Sequence, residues 1–183
     1  MPFLSAYVPV LIEPDGRYRL TAQMVYRGRD DTFTVPAGFQ TDLASIPRYM
    51  TWLVPVAGVQ DRAAIVHDWL CGSLAFAYSH NKASGSTVAR AVPVASAVDT
   101  DGIFRRILRE LGVGAVRRWL MWTGVRWGAL LNPARRAGWL RTAPAVVGIS
   151  VVALPLLLPA TVAVLATLAV DTAVEAVVGR WCK

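Results

Sequence analysis

An α+β fold is predicted: a short N-terminal antiparallel β-meander, then packed helices, then a C-terminal apolar helical segment. Three patterns predict it. Residues 2 to 40 hold β-branched and aromatic runs separated by turn residues, the signature of short paired strands. From about residue 60 the apolar residues recur at helical spacing, three and four apart. Finally, Ala143 to Val170 contains no charged residue and no histidine.

The strand runs are Phe3-Leu-Ser-Ala-Tyr-Val-Pro-Val-Leu-Ile, Tyr18-Arg-Leu-Thr-Ala-Gln-Met-Val-Tyr and Thr32-Phe-Thr-Val. Pro14-Asp-Gly and Gly28-Arg-Asp-Asp between them are turn chemistry. Ser45 can cap a short helix to about Leu53, with Pro47 in its first turn. Val54-Pro-Val-Ala-Gly-Val is a loop, and Gln60 to about Leu74 is a helix. Tyr78 to Val98, rich in Ser, Ala and Gly, reads as an irregular surface excursion. Asp99 to Leu111 is a helix ending at Gly112; its Ile103, Phe104, Ile107, Leu108 and Leu111 share one face and pack inward. Gly114 to about Leu131 is a further helix rich in Arg and Trp. The organisation expected is an α+β domain over 1–131, a basic linker over 132–142 and a hydrophobic tail over 143–183.

The chain has 183 residues and a formal net charge of +7. The charge is uneven: between Gly102 and Arg141, nine arginines stand against one acid, Glu110. Such a block favours an anionic surface, phospholipid headgroups or nucleic acid. As a helix, 143–170 would span about 42 Å against a hydrocarbon core of about 30 Å. Pro155 and Pro159 leave two readings, a kinked single span or a shallow hairpin of 145–154 and 160–170. A hydrophobic arm buried in an oligomer is the competing explanation. Arg135, Arg136 and Arg141 before the stretch, with Asp171 and Glu175 after it, put the N-terminal domain on the cytoplasmic side of a single span. Trp119, Trp122, Trp127 and Trp139 fit an interfacial belt beside it, which disfavours nucleic acid as the partner. Cys71 and Cys182 make no disulfide framework or metal spacing. The N-terminal residues lack the basic n-region and long apolar run of a signal peptide.

The chemistry concentrates on His67-Asp68, in Asp61-Arg-Ala-Ala-Ile-Val-His-Asp-Trp-Leu70. Ala63 and Ala64 lie one turn before His67 and Cys71 one turn after, leaving room beside an imidazole that titrates near neutral pH as a general base must. Upstream, Val35-Pro-Ala-Gly-Phe-Gln-Thr-Asp-Leu-Ala-Ser-Ile-Pro-Arg48 puts Asp42 where the backbone turns. A cap or Asx-turn is its plain role. With Asp68 it also offers two hard oxygen donors, and with the next carbonyl, that of Leu43, a partial calcium shell. Asp101, in the first turn of its helix, can cap that helix or reach the second ring nitrogen of His67 and fix its tautomer; Asp99 competes for that place.

Phe-x-Val-Pro-Ala-Gly-Phe-x-Thr-Asp-Leu-Ala-Ser-Ile-Pro-Arg, Ala-Ala-x-Val-His-Asp-Trp-Leu, Asp-Gly-Ile-Phe and Leu-Gly-Val closely resemble a domain-of-unknown-function family of tailed phages and bacteria, over about residues 30 to 128. The family usually has Tyr where this chain has Cys71, and a shorter link between the His-Asp and Asp helices. The order loop Asp-Leu, helix His-Asp, next-helix Asp also resembles the bacterial branch of the phospholipase A2 group. That second resemblance implies Asp42, the Leu43 carbonyl and Asp68 on calcium, His67 as base and Asp101 as its orienter. Cys71 departs from the group's Tyr, and its disulfides are absent.

Inventory excludes two other hydrolases. An HD-type metal phosphohydrolase needs a histidine upstream of His67, and the chain has none there. A zinc hydrolase needs more nitrogen and sulfur ligands than two distant cysteines and two histidines supply. The expected function is therefore a membrane-associated, calcium-dependent lipid esterase of phage or prophage origin, acting on membrane phospholipid. The competing class is a non-catalytic membrane-anchored or virion accessory protein, partnered by other phage structural proteins, in which the same residues staple loop to helices.

Overall fold

The computed structural model describes residues 2–4, 7–28, 32–43, 51, 58–84 and 96–181. The short helix expected from Ser45 to Leu53 falls largely outside these residues, as do most of the loop after it and the middle of the excursion after Tyr78. What is described is α+β, with short antiparallel strands followed by packed helices and a C-terminal apolar helix.

The strands form two small sheets. β1 (Val10–Ile12) and β2 (Tyr18–Leu20) pair as a hairpin across Pro14-Asp-Gly, where Gly16 takes a φ of 82° that a side chain would resist. β3 (Met24–Arg27) and β4 (Thr32–Val35) pair in the same way. β4 alternates strictly, with Phe33 and Val35 buried and Thr32 and Thr34 exposed. Residues 21–23 break the chain between β2 and β3, so β2 takes β5 (Gln40–Thr41) as its second neighbour. That return matters for the site, because Thr41 then hands the chain directly to Asp42.

α1 (Asp61–Ser84) buries Ala63, Ala64, Ile65, Val66 and Leu70, and runs past its expected end at Leu74. α2 (Ala97–Glu110) opens on a cap in which the Ser96 hydroxyl accepts the Asp99 N–H at 3.2 Å and donates to the Asp99 carboxylate at 2.7 Å. It closes on Gly112 at φ 76°, with Val113 N–H bonded to Leu108 and Gly112 N–H to Arg109. Phe104, Ile107 and Leu108 join Tyr26, Met24, Val66 and Leu70 in one core between the strands and α1.

α3 (Ala115–Leu131) lies antiparallel to α2: Asp101 meets Arg126, and one turn on, Arg105 stacks over Trp119 at 4.1 Å and Trp122 at 5.5 Å. α4 (Trp139–Trp181) then packs back on α3. Trp139 Nε1 donates to the Arg126 carbonyl at 2.8 Å, Arg126 Nε to Thr142 at 3.0 Å, and Trp127 Nε1 to Ser150 at 3.1 Å. Val146 is fully buried. The first three turns of α4 thus belong to the packed helices, and the free tail begins beyond Ser150 rather than at Ala143. Trp122 likewise sits in the packing at 6% exposure, not on a membrane-facing belt.

Pro144, Pro155 and Pro159 all lie inside α4, which is one helix. The hairpin alternative is therefore not the described conformation. Pro155 and Pro159 are four apart, so the two hydrogen bonds they remove lie one above the other on one side of the helix. Leu157–Arg180 is long and apolar enough to cross a membrane, with a mean hydropathy of 1.9 and none of its most apolar window buried. Leaving it in water would cost on the order of tens of kcal/mol at ~25 cal/mol per Å². Full-length chain is expected to partition into detergent, whereas a chain ended after Val152 keeps the α3–α4 contacts and should fractionate as a soluble protein. Recovery of the full-length chain as a soluble monomer without detergent would remove the membrane reading.

Candidate functional site

α1 and α2 bring His67 and Asp101 together. His67 Nε2 lies 2.7 Å from Asp101 Oδ1, with the imidazole only 6% exposed and Asp101 fully buried. Asp99, the competing residue, stays at the cap of α2. The Phe104 ring packs against the imidazole with centroids 4.9 Å apart, fixing its plane from the α2 side. Nδ1 is 4.0 Å from Asp68 Oδ1, and Cys71 Sγ lies 3.8 Å from Nδ1 and 3.6 Å from Nε2.

Two residues complete this centre that sequence reasoning placed elsewhere. Arg126 Nη1 donates to Asp101 Oδ2 at 2.9 Å, and Arg135 Nη2 donates to Oδ1 at 2.7 Å. Both belong to the basic block expected to face an anionic surface; both turn inward, and Arg126 is fully buried. A signal for Arg126 exists in the sequence. Trp122, Arg126 and Ala129 recur at helical spacing, and the other two members of that stripe are core residues. Arg135 lies in the 132–138 link, where no periodicity could have marked it.

The electrostatics follow from burial and from these partners. Burial on its own would raise the Asp101 carboxyl, but the bonds from His67, Arg135 and Arg126 outweigh it and hold the group below the usual carboxylate range. Asp101 is thus an ionised acceptor suited to a proton on Nε2, and Arg135 Nη2 lies 3.3 Å from that same nitrogen. Burial lowers His67, and the nearby Arg135 charge adds to this, against the restoring pull of Asp101. The imidazole is therefore neutral near pH 7, with its lone pair on Nδ1.

Asp68 and Asp42 form the second part. Thr41, at the end of β5, donates its hydroxyl to Asp68 Oδ2 at 2.5 Å and accepts the Leu43 N–H at 2.9 Å. That second bond pins Leu43 at φ 59°, a left-handed conformation that costs a branched residue about 1 kcal/mol or more. Burial pushes the Asp68 carboxyl up to about 7; Thr41 and Arg135 pull the other way, while Asp42, close enough to share a hydrogen bond with it, adds to the rise. Burial also pushes the Cys71 thiol up to about 12, so this cysteine is an inert neighbour rather than a nucleophile.

Among the described residues, no three His, Cys, Asp or Glu side chains converge as a metal site. The expected donors, the Asp42 and Asp68 carboxylates and the Leu43 carbonyl, are an all-oxygen set suited to a hard cation. The Asp42 charge that adds to the rise of Asp68 is one that a divalent cation bound between them would offset.

A family model described as "Protein of unknown function (DUF1353)" matches residues 18–125. The chain belongs to the DUF1353 family. No curated protein and no solved structure matches it. Thr41, Asp42, Leu43, His67, Asp68 and Asp101 all fall inside the DUF1353 match, whereas Arg126, Arg135 and all of α4 lie beyond it.

Proposed function

We propose that this DUF1353 protein is a membrane-associated, calcium-dependent lipid esterase resembling phospholipases A2, of phage or prophage origin. One observation carries the reading: His67 bonded at Nε2 to a buried carboxylate, with Nδ1 4.0 Å from Asp68 Oδ1. Asp101 holds the tautomer and stabilises the imidazolium as it forms. Nδ1 takes a proton from water, and Phe104 keeps the ring from turning. Asp42, Asp68 and the Leu43 carbonyl would hold the cation. Bound there, calcium would supply a Lewis acid for the ester carbonyl and charge for the oxyanion. The phage assignment rests on the resemblance of the Phe33–Arg48 and Ala63–Leu70 motifs to a family of tailed phages and bacteria. α4 anchors the domain to its phospholipid substrate, with the N-terminal domain on the cytoplasmic side.

A second reading has its own support. Asp101 gathers partners from α1, α3 and the 132–138 link, the work of a cross-brace. On that reading the chain is a non-catalytic membrane-anchored or virion accessory protein. Fatty-acid release from phospholipid vesicles by the full-length chain separates the two. Release that rises with millimolar calcium and stops with chelator supports the esterase, since a two-carboxylate shell binds calcium at about 10⁻⁴–10⁻³ M. No release over background at any calcium concentration supports the brace.

A further inference from the structure

Away from His67, on the next face of α2, Gly102, Arg105, Arg106, Arg109, Arg118 and Trp119 line a cavity of about 380 Å³. Four guanidinium groups border it, that of Arg106 being held by the Tyr26 hydroxyl at 3.2 Å, and no carboxylate is among the described lining residues. Of the acids closest in sequence, Asp99 sits at the Ser96 cap and Asp101 on His67 and two arginines, while Glu110 lies 2.9 Å from the Tyr26 hydroxyl, which it shares with Arg106. Arg105 Cζ lies 4.1 Å from the centre of the Trp119 ring, a cation–π contact that leaves its charge in place. Burial lowers the Arg105 pKa, and the neighbouring Arg118 and Arg109 charges add to this, as expected of cations crowded without a counter-ion. Gly102 leaves open space where a side chain would stand, since a Cβ there would meet nothing within 4 Å. Planar, convergent guanidinium groups are the donors that suit phosphate oxygens.

The position of the cavity says which phosphate. α3 and α4 run antiparallel, with Arg126 opposite Thr142 and Trp127 against Ser150. Moving back along α3 from Arg126 toward Arg118 therefore runs along α4 from Thr142 toward Leu157, where the apolar span begins. The cavity lies at the end of α3 directed toward that span, the side on which a bilayer's headgroups would meet the protein.

We propose that the arginine cavity between α2 and α3 binds the phosphate of an anionic phospholipid headgroup. The site rests on the membrane reading of α4 and not on hydrolysis. It is tested with the full-length chain in neutral detergent, titrated calorimetrically with ether-linked dihexanoyl phosphatidylglycerol, which an esterase cannot cleave. Matched titrations use the phosphatidylcholine analogue, inorganic phosphate and a short DNA duplex. The phosphatidylglycerol should bind at least ~10-fold more tightly than the phosphatidylcholine and lose ~10-fold or more in the Arg105→Gln/Arg109→Gln double variant, because each charged hydrogen-bonded pair is worth a factor of this order. Arg136→Gln and Arg141→Gln, outside the cavity, should leave it unchanged, and so should His67→Gln. Equal affinity for both lipids, or an undiminished titration in the double variant, overturns the site. Tighter binding of inorganic phosphate or DNA, lost in the same variant, overturns the lipid assignment. Should the lipid bind here while ester vesicles release no fatty acid, the esterase falls and the headgroup site stands.

Discussion

His67→Gln is expected to reduce calcium-dependent fatty-acid release by ~10²–10⁴-fold, the range that a positioned general base contributes. Glutamine keeps similar bulk against Phe104 and can still donate toward Asp101, so the helices should remain packed. What it cannot do is accept a proton at the position of Nδ1. The loss should fall on kcat, because the imidazole is buried between α1 and α2 and proton transfer acts in the transition state. Calcium affinity should change little, since Asp42, Asp68 and the Leu43 carbonyl are untouched. Turnover equal to wild type would remove His67 from the mechanism.

Asp101→Ala carries the largest expected cost in stability, about 3–5 kcal/mol, because it leaves the fully buried Arg126 charge without its acceptor. Domains of this kind hold about 5–15 kcal/mol in total, so the variant should unfold at much lower urea. Pairing it with Arg126→Met should recover part of the loss, since a buried ion pair replaced by apolar groups is often near neutral. The pH dependence follows from the same groups. Folded His67 resists protonation, so below its ordinary value of 6.5 the unfolded chain takes up a proton that the folded one refuses, and stability falls with pH. Asp101 is held low when folded, so its contribution is present above the ordinary aspartate range and is lost as pH falls through the folded value. The variant should lose the lower limb of that decline and keep the upper. An unfolding midpoint equal to wild type at neutral pH would show that the cluster braces nothing.

The parts of the fold legible in the sequence are those where one physical pattern dominated. In α2 a single apolar stripe coincides with a capped helix, and the predicted inward face is the one found, with Phe104, Ile107 and Leu108 buried. β4 alternates and is half buried, as a strand on a core must be. The meeting of His67 and Asp101 was open to reasoning because two adjacent helices of this length leave few ways to pack. Other features were hidden for definite reasons. α1 continues beyond Leu74 through Ala75-Phe-Ala-Tyr-Ser-His-Asn-Lys-Ala-Ser, which shows no continuous apolar face. The division into two sheets depends on residues 21–23, which carry no Gly or Pro to announce a break. Arg126 and Arg135 were read by charge alone, and charge favours solvent unless a buried acid is known to be waiting. α4 passes through Pro155 and Pro159, where turn chemistry argued for a hairpin; their spacing confines the missing bonds to one side of the helix.

All of this turns on one protonation state, and the chain has only two histidines, so it can be read directly. The measurement is the ¹⁵N spectrum of chain labelled at histidine alone, reconstituted in bilayers and followed with pH, His67 being assigned by its absence in His67→Gln. At neutral pH the His67 ring should be the neutral Nε2–H tautomer with Nδ1 unprotonated, and at 6.5, its ordinary value, it should still be predominantly neutral. An imidazolium at pH 7, or a proton on Nδ1 with Nε2 bare, would leave no base facing Asp68 and would contradict the mechanism.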